Sequence, residues 1–203
     1  MIYPSEIQKL IDFFSFFPGI GPKAAQRFVF YLLETKKEFR NDLAQAIKNL
    51  EKIKICSSCR NFSDQDPCSL CLNPRRDSSL LLLVARPQDL MALEKSGQYQ
   101  GLYYLLTKSS QGTETDNFIQ DISQSLMSRL KNDQRIKELI FGFDLNVRGE
   151  GMALYLTNLI NRDSSLKKRL KLTQMARGLP LGAEIEYADD LTLAAALQNR
   201  KSL

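Results

Sequence analysis

Apolar residues recur at helical spacing three times before residue 54. Ile7, Leu10, Ile11 and Phe14 form the first stripe, Ala25, Phe28, Val29 and Leu32 the second, and Leu43, Ala46, Ile47 and Leu50 the third. Spacing of i, i+3, i+4, i+7 predicts three helices, each with one buried face. Residues 54–77 then show little apolar periodicity. From residue 79 the pattern changes to short apolar runs separated by longer amphipathic stretches. Ser79–Val84, Leu102–Leu106, Glu138–Phe143 and Leu170–Met175 read as strands. Helices are expected from Pro87 through Leu93, over Asp116–Leu130 and over Gly149–Ile160, with a last short one at Asp189–Leu197. Strands alternating with helices of this length predict a mostly parallel sheet covered by helices, so the chain reads as multidomain α/β. The segment TKSSQGTETDN, residues 107–117, reads as a long flexible loop.

Composition narrows the function. A chain of 203 residues is one large or two small folding units. It has no run of the roughly 18 apolar residues that a membrane span needs. The start, MIYPSEIQKL, lacks a basic region followed by an apolar one, so no signal peptide is expected and a soluble cytoplasmic protein is. Histidine is absent, which removes Ser-His-Asp and Cys-His catalysis and any histidine-ligated metal. The net charge of +5 is uneven: residues 1–86 carry 13 Lys/Arg against 9 Asp/Glu, and residues 87–203 carry 15 against 14. That bias is compatible with a polyanionic partner without identifying one.

All four cysteines fall in one short stretch, Cys56-Ser-Ser-Cys59 and, eight residues later, Cys68-Ser-Leu-Cys71. Each Cys-x-x-Cys turn lets two thiolates face one ion, and two such knuckles complete a tetrahedral set. Two disulfides or four free thiols are the other readings, but nothing points to an oxidising compartment. Four thiolates with no open position predict one structural Zn²⁺ per chain, on Cys56, Cys59, Cys68 and Cys71.

The turn Pro18-Gly19-Ile20-Gly21-Pro22-Lys23 lies between the first two helical stripes. Its glycines permit backbone angles closed to other residues, and Pro22 suits the first position of the next helix. Free N–H groups and the positive end of that helix make a phosphate seat by geometry. Lys23 and Arg27, four apart, share a helix face and add two phosphate contacts. Gly19, Gly21, Lys23 and Arg27 are therefore the candidate DNA-binding residues, with no base-reading group and hence no sequence preference. The competing reading is a tight helical corner whose basic residues are merely solvated.

Metal-dependent phosphoryl chemistry needs several carboxylates converging on Mg²⁺ beyond the strand ends. After the first strand stand Ala85 and Arg86; after the third stand Asp144 and, further on, Glu150. An arginine there competes with a metal, so no catalytic residue is assigned. Asp189 and Asp190 read as the cap of the last helix in preference to a nucleotide site, because no phosphate loop accompanies them.

The strings PGIGPKAAQRF, CxxC-x8-CxxC, DLMALEKSGQYQGLYYLL, GEGMALYL and ARGLPLGAEIEYADDLTLAAAL together resemble the bacterial recombination mediators of the RecR family, from Tyr3 to about Leu197. The resemblance implies a helix-hairpin-helix domain over 1–53, a four-cysteine zinc finger over 54–77, a Toprim domain over 78–175 and a C-terminal, Walker B-like oligomer-contact segment over 176–203. It implies a non-enzymatic, nucleoid-associated ring or clamp, commonly a homotetramer, in recombinational DNA repair. Such rings act with RecO and RecF to load a RecA-type recombinase on single-stranded DNA. The alternative is a Toprim-type metal-dependent phosphotransferase or nuclease using Asp144 and Glu150; a weaker one is a scaffold that binds no DNA. Three stretches depart from the family pattern: Ala85-Arg86, where acids are usual; Asp144–Arg148, where NPTxEGE is usual; and LTKSS near residue 107. Arg86 and Arg148 are expected to add positive charge to the sheet's edge.

Overall fold

The computed structural model describes residues 3–106, 118–144 and 146–200. The loop expected at 107–117 lies outside them. The chain divides into two compact units, residues 1–53 and 54–203.

The first unit contains α1 (Ser5–Ser15), α2 (Pro22–Glu34) and α3 (Lys37–Asn49), ending in a 3-10 turn at Leu50–Lys52. Helices α1 and α2 enclose a small core of Ile11, Ala25 and Val29, with Tyr3, Ile7, Phe14 and Ile20 packed around it. The three stripes are present, but they are not all buried. Leu10 and Phe28 stay exposed, and α3 has no buried residue; Ile47 is 58% and Leu50 66% exposed. The Arg40 guanidinium ties α3 to the negative end of α2, donating to the carbonyls of Leu32 at 3.0 Å and Thr35 at 2.7 Å. The three helices leave an apolar groove of about 320 Å³ lined by Leu10, Leu33 and Ile47 among others.

The second unit opens with a hairpin of β1 (Lys54–Ile55) and β2 (Phe62–Ser63), then the single turn α4 (Ser69–Leu72). There follow β3 (Asp77–Val84), α5 (Pro87–Ser96), β4 (Gly101–Leu105), α6 (Phe118–Asn132), β5 (Glu138–Gly142), α7 (Val147–Asn161), α8 (Ser164–Arg169) and β6 (Lys171–Gln174). The four long strands are all parallel, in the order β4-β3-β5-β6, with Leu83 registered beside Tyr104 and Phe141. Along β3 the side chains alternate between faces. Leu81 and Leu83 enter the larger core with Leu126, Leu130, Leu156 and Ile160 of α6 and α7. Leu82 and Val84 enter a thinner one with Leu90 of α5, and Leu70 packs there from α4. Strands covered on both faces explain why β3 is an unbroken apolar run.

The C-terminal stretch carries a 3-10 turn at Ile185–Tyr187 and α9 (Asp190–Gln198), with no buried residue in either. Among the described residues no helix is long and apolar enough to cross a membrane.

Candidate metal centre and nucleic-acid interface

The sulfurs of Cys56, Cys59, Cys68 and Cys71 all lie within 4.8 Å of one another. Cys59 and Cys68 are 3.5 Å apart, and Cys56 and Cys71 3.9 Å. A tetrahedron with zinc–sulfur bonds of about 2.3 Å has edges of about 3.8 Å, so the cluster fits one zinc ion. The spacing is far too long for disulfides, and all four thiols are unbridged. Backbone geometry builds the first knuckle: the Cys56 N–H donates to the Asn61 carbonyl and the Arg60 N–H to the Cys56 carbonyl, both at 2.8 Å. Arg60 adopts φ 64°, a left-handed conformation uncommon outside glycine, and its guanidinium reaches Ser125 of α6 at 3.5 Å. Burial opposes ionisation of Cys56, yet the N–H groups of Cys68, Cys59 and Ser58 pull its thiol below the ordinary value. Hydrogen bonding to Cys71 together with burial pushes Cys59 up, and burial takes Cys68 to about 11. A divalent cation resolves that crowding by taking the place of the thiol protons.

In the Gly-rich turn only one glycine is conformationally required. Gly19 has φ 79°, whereas Gly21 is extended at φ −83° and ψ 168°. A Cβ at Gly21 would meet no atom within 4 Å. The expectation of special angles therefore holds for Gly19 alone; the open space at Gly21 admits close approach from outside. Pro22 is at the first position of α2, and Gly21, its N-cap, offers no side-chain acceptor to the first-turn N–H groups. Lys23 and Arg27 are both exposed, and among the described residues neither is in an ion pair. They line a shallow cavity of about 670 Å³ with Gln26, Phe30, Tyr31 and Glu34.

At the C-terminal edge of the sheet the carboxylates are occupied. Arg86 lies 3.0 Å from Asp89 and 3.4 Å from Asp144, while Arg177 lies 3.0 Å from Glu150. Asp89 also accepts the Arg86 N–H at 3.0 Å, which closes the first turn of α5. Arg86 thus does not add free positive charge to this edge, as its sequence position promised; two acids offset it. Arg148 stays exposed. Gly149 is needed for close approach, since a Cβ there would fall 2.0 Å from the Asp144 carbonyl oxygen. The paired Asp189-Asp190 resolves as a cap: Asp189 accepts from the Thr192 N–H at 2.9 Å and its hydroxyl at 2.7 Å. Arg60 and Arg177 escape sequence reasoning because their partners lie 65 and 27 residues away.

The chain matches three family models: RecR, helix-hairpin-helix over residues 7–50; RecR, four-cysteine zinc finger domain over 53–73; and RecR, C-terminal over 178–201. Recombination protein RecR of Moorella thermoacetica is 41% identical over 204 residues, covering 100% of both chains. The protein of the same name from Bifidobacterium longum subsp. infantis is 39% identical over 202 residues, covering 99% of this chain and 98% of its own. That of Bifidobacterium adolescentis is 37% identical over 210 residues, covering 100% of this chain and 99% of its own. A four-thiol zinc site beside a parallel sheet, a helical Gly-turn unit and identity of this extent along the whole chain have one common explanation: the chain belongs to the RecR family of recombination proteins.

Proposed function

We propose that this chain is a non-catalytic DNA-binding ring protein of recombinational DNA repair. In this reading the parts at 1–53, 54–77, 78–175 and 176–203 are a DNA-gripping helix-hairpin-helix domain, the zinc finger, a Toprim-type sheet and an oligomer contact. It works in the cytoplasm, on the nucleoid, with RecO and RecF to load a RecA-type recombinase on single-stranded DNA. The observation that carries the reading is the turn before α2: uncapped N–H groups, open space at Gly21, and Lys23 and Arg27 outside any ion pair of the described residues, on one exposed face. Such a surface holds backbone phosphate and reads no base. Assembly into a tetrameric ring has support from exposed apolar side chains, Ile47 and Leu50 in the first unit and Leu181, Tyr187 and Leu191 near the C-terminus. The enzymatic alternative needs Asp144 and Glu150 to converge on Mg²⁺, and each is engaged by an arginine.

The test is salt-dependent DNA binding by wild type and a Lys23→Ala/Arg27→Ala double variant. Losing two phosphate contacts is expected to weaken affinity about tenfold or more at low salt and to flatten the log–log salt slope by about 1.8 on duplex and about 1.4 on single strands. Equal affinity and slope for the two proteins would remove the turn from the mechanism. A parallel incubation of DNA with wild type and Mg²⁺ is expected to leave the DNA intact; cleavage lost in Asp144→Asn would favour the enzyme instead.

A further inference from the structure

On α2 the buried residues Ala25 and Val29 define the inward face. At about 100° per residue, Arg27 lies directly opposite their midpoint, with Lys23, Phe30, Tyr31 and Glu34 inside the same outward arc. Tyr31 continues the Lys23–Arg27 row by one more step of four, so its ring and the Arg27 side chain are helical neighbours.

The aromatic residues of α2 are not equivalent. Phe28 packs edge-on against Phe14 at 6.1 Å, and Phe30 against Tyr3 at 5.4 Å. Tyr31 is 61% exposed and, among the described residues, has neither a ring partner nor a hydrogen-bond partner for its hydroxyl. It therefore contributes little to the small core of this unit. Instead it stands beside Lys23 and Arg27 at the rim of the cavity they line.

Resting on the reading that Lys23 and Arg27 hold phosphate, we infer that Tyr31 is a base-stacking residue that gives this face a preference for single-stranded over duplex DNA. The chemistry separates the two forms. Phosphates are available on both, so Lys23 and Arg27 serve either. A base face is available only where the base is unpaired or splayed, and any base presents one, which preserves sequence independence. Charge complementarity favours a polyanion over a second copy of this net-positive chain at this surface. Glu34, one turn beyond, sets the end of the row, because a phosphate there meets a like charge.

The test compares Tyr31→Ala, Tyr31→Phe and Lys23→Ala/Arg27→Ala with wild type, using labelled oligothymidylate and a mixed-sequence duplex of equal length, with solution mass measured for each. Tyr31→Ala is expected to weaken single-strand binding about tenfold, to leave duplex binding within about twofold and to leave the salt slope unchanged, whereas Tyr31→Phe keeps wild-type affinity. Equal loss on both DNA forms, no loss on either, or a change in solution mass in Tyr31→Ala would overturn the stacking role. If the charge variant loses both DNA forms while Tyr31→Ala loses neither, the phosphate seat stands and the stacking falls. If the charge variant binds both like wild type, the seat itself falls and the stacking role falls with it.

Discussion

Withdrawing zinc with a strong chelator, or replacing Cys59 with Ser, is expected to unfold residues 54–73 and also to release the outer edge of the sheet. The finger has almost no apolar core of its own. Beyond its cysteines the cluster gains only Leu70, and its hairpin is two residues against two, well below the size that is stable alone. Structural zinc in small domains contributes about 10–16 kcal/mol at neutral pH, which here is most of what folds the segment. Two links carry the loss into the sheet. Strand β4 is an edge strand, and its Leu105 N–H donates to the Cys59 carbonyl at 2.8 Å. Leu70 packs both against the cysteines and against the Leu82–Tyr103 side of the sheet. Hydrogen exchange should therefore show lost protection both in 54–73 and at Leu105 in the zinc-free or Cys59→Ser protein. Full protection at Leu105 would mean that β4 stands without the finger. The pH dependence has a fixed sign: binding requires thiolates, and Cys59 and Cys68 hold their protons tightly in the metal-free cluster, so zinc affinity falls as pH is lowered. Metal analysis should return one zinc per chain.

What is legible in the sequence is what neighbouring residues decide. Cys-x-x-Cys spacing fixes which sulfurs can share an ion whatever the rest of the fold does, and the four ligands converge as expected. Short apolar runs mark β4, β5 and most of β3, whose side chains are buried or half-buried on both faces; β6 is less apolar, with Lys171 and Gln174 exposed. Asp189 can be recognised as a cap because the donor to its carboxylate, Thr192, is three residues away. Helix α8 leaves no such signal: six residues with only Leu166 buried cannot display a periodicity. Its start is fixed by Asp163, which accepts from the N–H groups of Ser165 and Leu166.

The larger misreadings concern partners. Periodicity reports that α3 has an apolar stripe but not what covers it, and Ile47 and Leu50 stay exposed within the one chain. A Gly-x-Gly turn looks symmetrical in sequence, yet only Gly19 needs a positive φ. Of the two acids that offset Arg86, Asp89 is only three residues on, but Asp144 lies 58 residues away, and only the adjacency of β3 and β5 brings it to Arg86. At each of these positions the residue type is informative and the tertiary neighbour is decisive.

Arg76→Met is expected to cost the second unit about 3 kcal/mol, the loss typical of breaking a buried ion pair from one side. Arg76 sits just ahead of β3, with its side chain only 8% exposed. Its guanidinium pairs with Glu94 of α5, donates to the Gly101 carbonyl at 2.7 Å and lies 5.6 Å from the centre of the Tyr103 ring. One residue thus ties the entry of β3 to α5 and to the start of β4. Methionine fills similar volume but leaves the Glu94 carboxylate partly buried without its cation and the Gly101 carbonyl without its donor. Removing the acid as well, in Arg76→Met/Glu94→Leu, should restore a substantial part of the loss, since no buried charge is then stranded. The contrast is Arg135→Ala: that arginine pairs with Asp133 but is 69% exposed, and its loss should leave the urea midpoint close to wild type, because Arg129 still pairs with Asp133 at 3.4 Å. Urea titration of the zinc-loaded full chain, followed by hydrogen exchange at the β4 amides, reads all three. The pH dependence distinguishes a lost ion pair from lost packing. Burial alone would raise the Glu94 carboxyl, but Arg76, helped by the Tyr103 hydroxyl, outweighs it and holds the group below the ordinary glutamate value. A carboxylate depressed in the folded state stabilises fully above its unfolded pKa, about 4.3, and that contribution is lost as pH falls through the folded value. Wild type should therefore lose stability over this acid window. The penalty of Arg76→Met should begin to shrink above about pH 4.3, where the stranded Glu94 of the variant takes up its proton, and go on shrinking through the window in which wild type loses its own stabilisation. A penalty that stays constant down to the acid limit would assign the loss to packing alone.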